Sequence, residues 1–185
     1  KSVTVEFKVD DEGQFEAIFS TFNVIDLDGD VTLPGAFEDG AEVIVGAYGH
    51  NTWSGALPVG KGVIKQTDKD VRIVGEFWLN TKSGKEHYTV AKELGAKQEW
   101  SYGYEVKGTG DVDELPEELQ GAIRVLTKLE VFEVSPVLRG AGIDTQTVVV
   151  KKQPKGEPPK EEKDNAAAIT EMARFERTKF QMMSQ

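Results

Sequence analysis

The stretch QEWSYGYEV, residues 98–106, alternates bulky and small side chains. In an extended chain Trp100, Tyr102, Tyr104 and Val106 share one face, and Glu99, Ser101, Gly103 and Glu105 share the other. A period of two with this aromatic content predicts a β-strand whose bulky face lies in a core. The segments around it follow suit. Upstream, TKSGKEHYTVAKELG (81–95) predicts a helix, with Thr81 or Ser83 as cap, Gly95 as stop, and Tyr88, Ala91 and Leu94 (Val90 beside them) as its inner stripe. Before it, PVGKGVIKQ and VRIVGEFWL flank TDKD as a hairpin, and EVIVGAY is a short apolar strand running into Gly49 and His50. Alternation at 3–9 and again at 15–19 predicts another hairpin around DDEG, and VIDLDGDVTLPGAF reads as loop. Downstream, GTGDVDELPEELQG reads as an acidic surface excursion, IRVLTKLEVFEVSPV as a long strand region and TQTVVV as a further strand. Six or more strands with one intervening helix predict a mainly β, α+β fold built on a small, mostly antiparallel β-barrel or sandwich.

The chain has 185 residues, enough for one domain and an appendage. KKQPKGEPPKEEKDN has the composition of a linker, and AAAITEMARFERTKFQMMS reads as a helix with Ile169, Met172, Ala173 and Phe180 on one stripe and Phe175 off it. The expected organisation is a barrel domain over 1–151, a linker over 152–164, and a helix over 165–185 suited to docking or self-association. With 22 Lys+Arg against 32 Asp+Glu the net charge is −10, which argues against nucleic acid or an anionic membrane as the main partner. The absence of cysteine excludes disulfides, thiol catalysis and cysteine zinc sites. No apolar run approaches the length of a membrane span, and no secretory leader is expected. DLDGD resembles the opening of a calcium loop, but counting from Asp26 the sixth and twelfth positions are Val31 and Phe37, where such a loop needs Gly and Glu. Neither a metal nor a cofactor is expected.

Three residue types carry the chemistry. Of the two histidines, His87 lies within the predicted helix and reads as a surface or packing residue, whereas His50 ends a strand and opens a glycine-containing loop, where functional groups concentrate. Ser101 lies on the small face of its strand, beside the room left by Gly103. The apolar run KLEVFEVSPV carries Glu130 and Glu133. Strict alternation puts Glu133 with Leu129, Val131, Ser135 and Val137, and Glu130 with Phe132 and Val134. A carboxylate in so apolar a strand faces water at an edge or is buried with a partner, and histidine is a natural one.

These residues sit in motifs that resemble the prohead proteases of tailed bacteriophages, distant relatives of herpesvirus assemblin. FNVIDLDGDVTLPGAF is similar to that family's D-x-D-G-D-x-x-x-P-G-A-F segment, GHNTWSGALPVGKG to its histidine loop, SYGYEV to its S-x-G-Y strand and LEVFEVSPV to its E-V-S-x-V strand, in the same order. NTW after His50, and SPVLRGAG in place of an ending in P-A-N, depart from the pattern. The resemblance implies a herpesvirus-protease-like barrel. It also implies a serine endopeptidase with Ser101 as nucleophile, His50 as base and Glu133 as orienting acid, Glu130 being the rival. The implied partners are the major capsid protein with its scaffold or delta-domain segment and the protease itself, inside the procapsid in the host cytoplasm. The turn at Arg139 and Gly140 is the expected source of oxyanion donors. An inactive structural module on the same fold is the alternative.

Overall fold

The computed structural model describes residues 13–150. The strand expected at 3–9, the linker and the C-terminal helix lie outside the described residues. The described chain forms eight strands: β1 (Gln14–Thr21), β2 (Asp30–Thr32), β3 (Glu42–Val45), β4 (Gly60–Gln66), β5 (Asp70–Phe77), β6 (Glu99–Gly110), β7 (Arg124–Val137) and β8 (Gln146–Val150). One helix, α1 (Lys82–Leu94), lies between β5 and β6. Mainly strands with one helix is the α+β class that the sequence predicts. Among the described residues no helix is long and apolar enough to cross a membrane.

The strands make a single curled sheet in the order β2-β7-β3-β4-β5-β1-β8, with β6 on the other edge of β7. Its long strand β7 organises it. Antiparallel β6 runs along nearly all of β7, while β2 and β3 pair with it in parallel at opposite ends of the remaining edge. The other pairings, β1–β5, β1–β8, β3–β4 and β4–β5, are antiparallel. β2 falls inside the segment expected to be loop. With only three residues it is too short to show a period, and its pairing with β7 at Asp30–Arg124, Val31–Val125 and Thr32–Leu126 is what makes it a strand.

The concave side holds the aromatic core that the alternation of β6 predicts. Trp100 is fully buried, stacks on Phe15 at 4.9 Å, and donates its indole N–H to Thr147 Oγ1 at 2.8 Å. Tyr102 meets Phe19 edge-on at 5.2 Å and Phe37 at 5.5 Å. Such ring pairs contribute about 0.5–1.5 kcal/mol each beyond the area they bury. Thr147 N–H donates to Gln98 O at 3.1 Å, joining β8 to the residue just before β6 and curling the sheet around the core.

Helix α1 starts where Thr81 Oγ1 accepts the N–H of Gly84 at 3.0 Å and stops at Gly95, whose positive φ of 54° suits glycine. Its buried residues are Gly84, Tyr88 and Ala91, so Val90 and Leu94, expected in the inner stripe, stay largely exposed. The buried line is the i, i+4, i+7 row through 84, 88 and 91, and it starts at Gly84, where a Cβ would lie 2.3 Å from the carbonyl oxygen of Trp78.

Candidate active site

The β6–β7 ladder fixes the site. Ser101 pairs with Ser135 and Gly103 with Glu133, but the next pair is Tyr104 with Val131, so Phe132 is an extra residue in β7. This β-bulge breaks the strict alternation on which the sequence reading relied. Leu129, Val131 and Val134 belong to the core, whereas Glu133 and Ser135 project to the opposite side with Ser101 and Gly103. Glu133 therefore does not share a face with Leu129 and Val131. Cross-strand partners hold their Cβ atoms about 4.5–5.5 Å apart, which sets Ser101 beside Ser135 and one pair away from Glu133.

Residues 48–54 form a 3-10 turn over this face. Gly49 (φ 68°) and His50 (φ 58°) are both left-handed, a conformation that costs a non-glycine residue about 1–3 kcal/mol and that gathers at functional sites. The turn holds itself through Thr52 Oγ1, which accepts Ala47 N–H at 2.8 Å, and Asn51 Nδ2, which donates to Tyr48 O at 2.6 Å.

Glu133 is 1% exposed and fully partnered. His50 Nδ1 and Trp53 Nε1 (3.3 Å) meet its Oε1, and Ser135 Oγ donates to Oε2. Burial pushes the Glu133 carboxyl up, but the hydrogen bonds from His50, Ser135 and Trp53 outweigh it and hold the group below the usual carboxylate range. An ionised Glu133 only accepts, so His50 Nδ1 carries a proton, and in the neutral imidazole Nε2 is then the nitrogen able to accept one. Its rival Glu130 is exposed and ion-paired with Lys107 at 2.9 Å, so geometry brings Glu133 and not Glu130 to His50.

Ser101 is half-buried, and among the described residues its hydroxyl makes no hydrogen bond, to His50 or to any other group. Ser135, on the same face, is fully buried with its hydroxyl committed to Glu133. Ser135 and Trp53 are the site residues that sequence reasoning missed. The serine of EVS was visible as a motif letter, but no sequence signal joins Trp53 to a carboxylate 80 residues away.

The room left by glycine also has a different use from the one expected. A Cβ at Gly103 would lie 2.9 Å from both Glu133 Oε1 and the Trp53 ring, so the space is filled by the acid and its indole partner. Across the sheet, a Cβ at Gly46 would come within 2.2 Å of Glu133 Oε2 and Ser135 Oγ. Gly46→Ala should therefore displace the acid. A loss of about 1–3 kcal/mol in urea unfolding is expected from such overpacking, with a changed His50 ring N–H signal by NMR as the local readout.

In the turn expected to supply the oxyanion donors, the Gly140 N–H is taken, donating to Glu99 Oε2 at 2.8 Å. DLDGD is used structurally. Asp26 Oδ1 accepts the N–H groups of Asp28 and Asp30, both at 2.9 Å, and buried Asp30 takes Arg124 Nε at 2.9 Å and Nη2 at 2.5 Å. Beside the site, the Trp53 ring meets Phe132 at 6.1 Å, and Phe132 lines a groove of about 700 Å³ with Ile44, Val63, Val74 and Trp78.

A family model described as caudovirus prohead serine protease matches residues 2–157. The chain belongs to this family. As a prohead serine protease family member, it is 32% identical over 100 residues to the prohead protease of Enterobacteria phage HK97. The match covers 51% of this chain and 43% of that protein, so the family member spans less than half the length of its curated relative. No solved structure matches it.

Proposed function

We propose that the protein is a serine endopeptidase of phage procapsid maturation, with Ser101 as nucleophile, His50 as general base and Glu133 as the acid that orients the imidazole. The observation that carries the reading is the His50 Nδ1–Glu133 bond, which leaves Nε2 without a hydrogen-bond partner among the described residues and ties the ring to the sheet face that bears Ser101. In the reaction His50 Nε2 takes the Ser101 proton as Oγ adds to the peptide carbonyl. The tetrahedral intermediate collapses, the amine leaves with the proton returned from Nε2, and an acyl-ester remains on Ser101. Water, deprotonated by His50, then releases the acid product. Ionised Glu133 stabilises the imidazolium in both halves. Substrate binding closes the distance between Ser101 and His50, since such hydrogen bonds tighten only in the Michaelis complex. The groove lined by Ile44, Val63, Val74 and Phe132 receives an apolar stretch of the polypeptide.

The substrates in this reading are the capsid protein's scaffold segment and the protease's own chain, within the assembling procapsid in the host cell. A second reading, a non-catalytic capsid module on the same fold, is favoured by the missing Ser101–His50 hydrogen bond. A fluorophosphonate probe separates the two. Labelling that maps to Ser101 by peptide mass spectrometry, and disappears in His50→Ala, is the result expected of the peptidase. A folded protein that takes up no label and cleaves neither itself nor a co-expressed capsid protein would establish the module.

A further inference from the structure

His87 stands on α1 and reaches the turn that carries His50. Its Nε2 lies 2.9 Å from the backbone nitrogen of Tyr48, and its Nδ1 lies 2.7 Å from the carbonyl oxygen of Ser83. A backbone N–H only donates, so Nε2 bears no hydrogen. A carbonyl only accepts, so the single ring proton sits on Nδ1. Both ring nitrogens are thus engaged and the tautomer is set from two sides, an arrangement more specific than that of a surface or packing histidine.

Tyr48 immediately precedes the left-handed pair Gly49 and His50. A turn in that conformation relaxes unless both of its ends are held. Glu133 ties it to β7 through His50 and Trp53. His87 ties it to α1 through Tyr48 N–H. The helix is itself fixed, since its Thr81 cap and the buried Gly84, Tyr88 and Ala91 seat it on the sheet.

We propose that His87 is a positioning residue for His50, acting through the Tyr48 amide to hold the imidazole over the Ser101 face. The proposal rests on the reading of His50 as general base. His87 touches neither substrate nor reacting atoms in this scheme, so its loss alters the placement of the base and not its chemistry.

The chain has two histidines, so labelling with ¹⁵N-histidine gives an NMR spectrum with one imidazole to follow once His87 is replaced. In wild type the His50 Nδ1–H held by Glu133 is expected to give a downfield, slowly exchanging signal. His87→Ala is expected to broaden or shift it and to lower kcat about 10- to 100-fold with KM within twofold, the size of effect that follows a small misplacement of a catalytic group. In His87→Gln the side-chain carbonyl can accept the same Tyr48 N–H, so signal and kcat recover in large part. Melting curves and far-UV spectra confirm that α1 persists in each variant. An unchanged His50 signal in a folded His87→Ala, or a His87→Gln no better than His87→Ala, overturns the proposal. Because the NMR signal requires no turnover, it reports on the tether even if Ser101→Ala leaves cleavage intact and the protease assignment itself fails.

Discussion

Ser101→Ala is expected to remove peptide cleavage almost completely, by on the order of 10⁵–10⁶-fold, the scale seen when the nucleophile of a serine-protease triad is deleted. The fold should be indifferent to the change. Ser101 is half-buried and its hydroxyl satisfies no partner among the described residues, so alanine leaves no polar group stranded. Mass spectrometry of the incubated protein, alone and with a capsid-protein substrate, reads the outcome directly, and a melting curve within about a degree of wild type shows that the loss is chemical. Cleavage at the wild-type rate would move the nucleophile elsewhere. The neighbouring Ser135 is poorly placed to take over, being fully buried and hydrogen-bonded to Glu133.

Glu133→Gln should lower activity by about 10⁴-fold, as happens when a triad carboxylate becomes an amide and the histidine takes the wrong tautomer. It should also cost stability, which Ser101→Ala should not. Three donors converge on Glu133, from His50, Ser135 and Trp53. An amide offers one acceptor oxygen and turns two N–H donors on the rest, so at least one buried donor goes unpaired, at about 1–3 kcal/mol. The penalty depends on pH in a defined direction. Because the folded carboxyl titrates below its usual range, its contribution is complete above the ordinary glutamate pKa of about 4.3 and fades as pH falls through the folded value. Urea unfolding should therefore separate wild type from Glu133→Gln most at neutral pH, and the difference should shrink below about pH 4. A gap that stays constant down to acid pH would mean that the carboxylate charge contributes nothing to the fold.

Much of the arrangement is legible in the sequence. The period-2 pattern of residues 100–106 marks β6 and its buried aromatics, and Thr81 and Gly95 mark both ends of α1. His50 stands out by position and chemistry, with Glu130 and Glu133 both open as its acid from the residues alone, and the structure joins His50 to Glu133. What was not legible depends on long-range register. The choice between Glu130 and Glu133 turns on a bulge that no local pattern announces. β2 is a strand only because β7 passes beside it. The reach of Trp53 to Glu133, and of His87 to Tyr48, spans 80 and 39 residues of chain. The occupied Gly140 amide likewise needs Glu99 brought in from β6.

The extra residue at Phe132 makes β7 a strand with two phases. Up to Val131 its hydrophobic beat falls on the odd numbers 129 and 131; beyond the slip it falls on 134. One strand can thereby anchor itself in the same core at both ends and still turn an acid outward between them. Chain length at this point therefore carries as much information as residue identity. An insertion or deletion of a single residue between Val131 and Glu133 would leave every letter of the EVS motif in place while pointing its glutamate into the aromatic core. In this chain the spacing from Val131 to the motif thus decides where Glu133 points, which the motif letters alone do not.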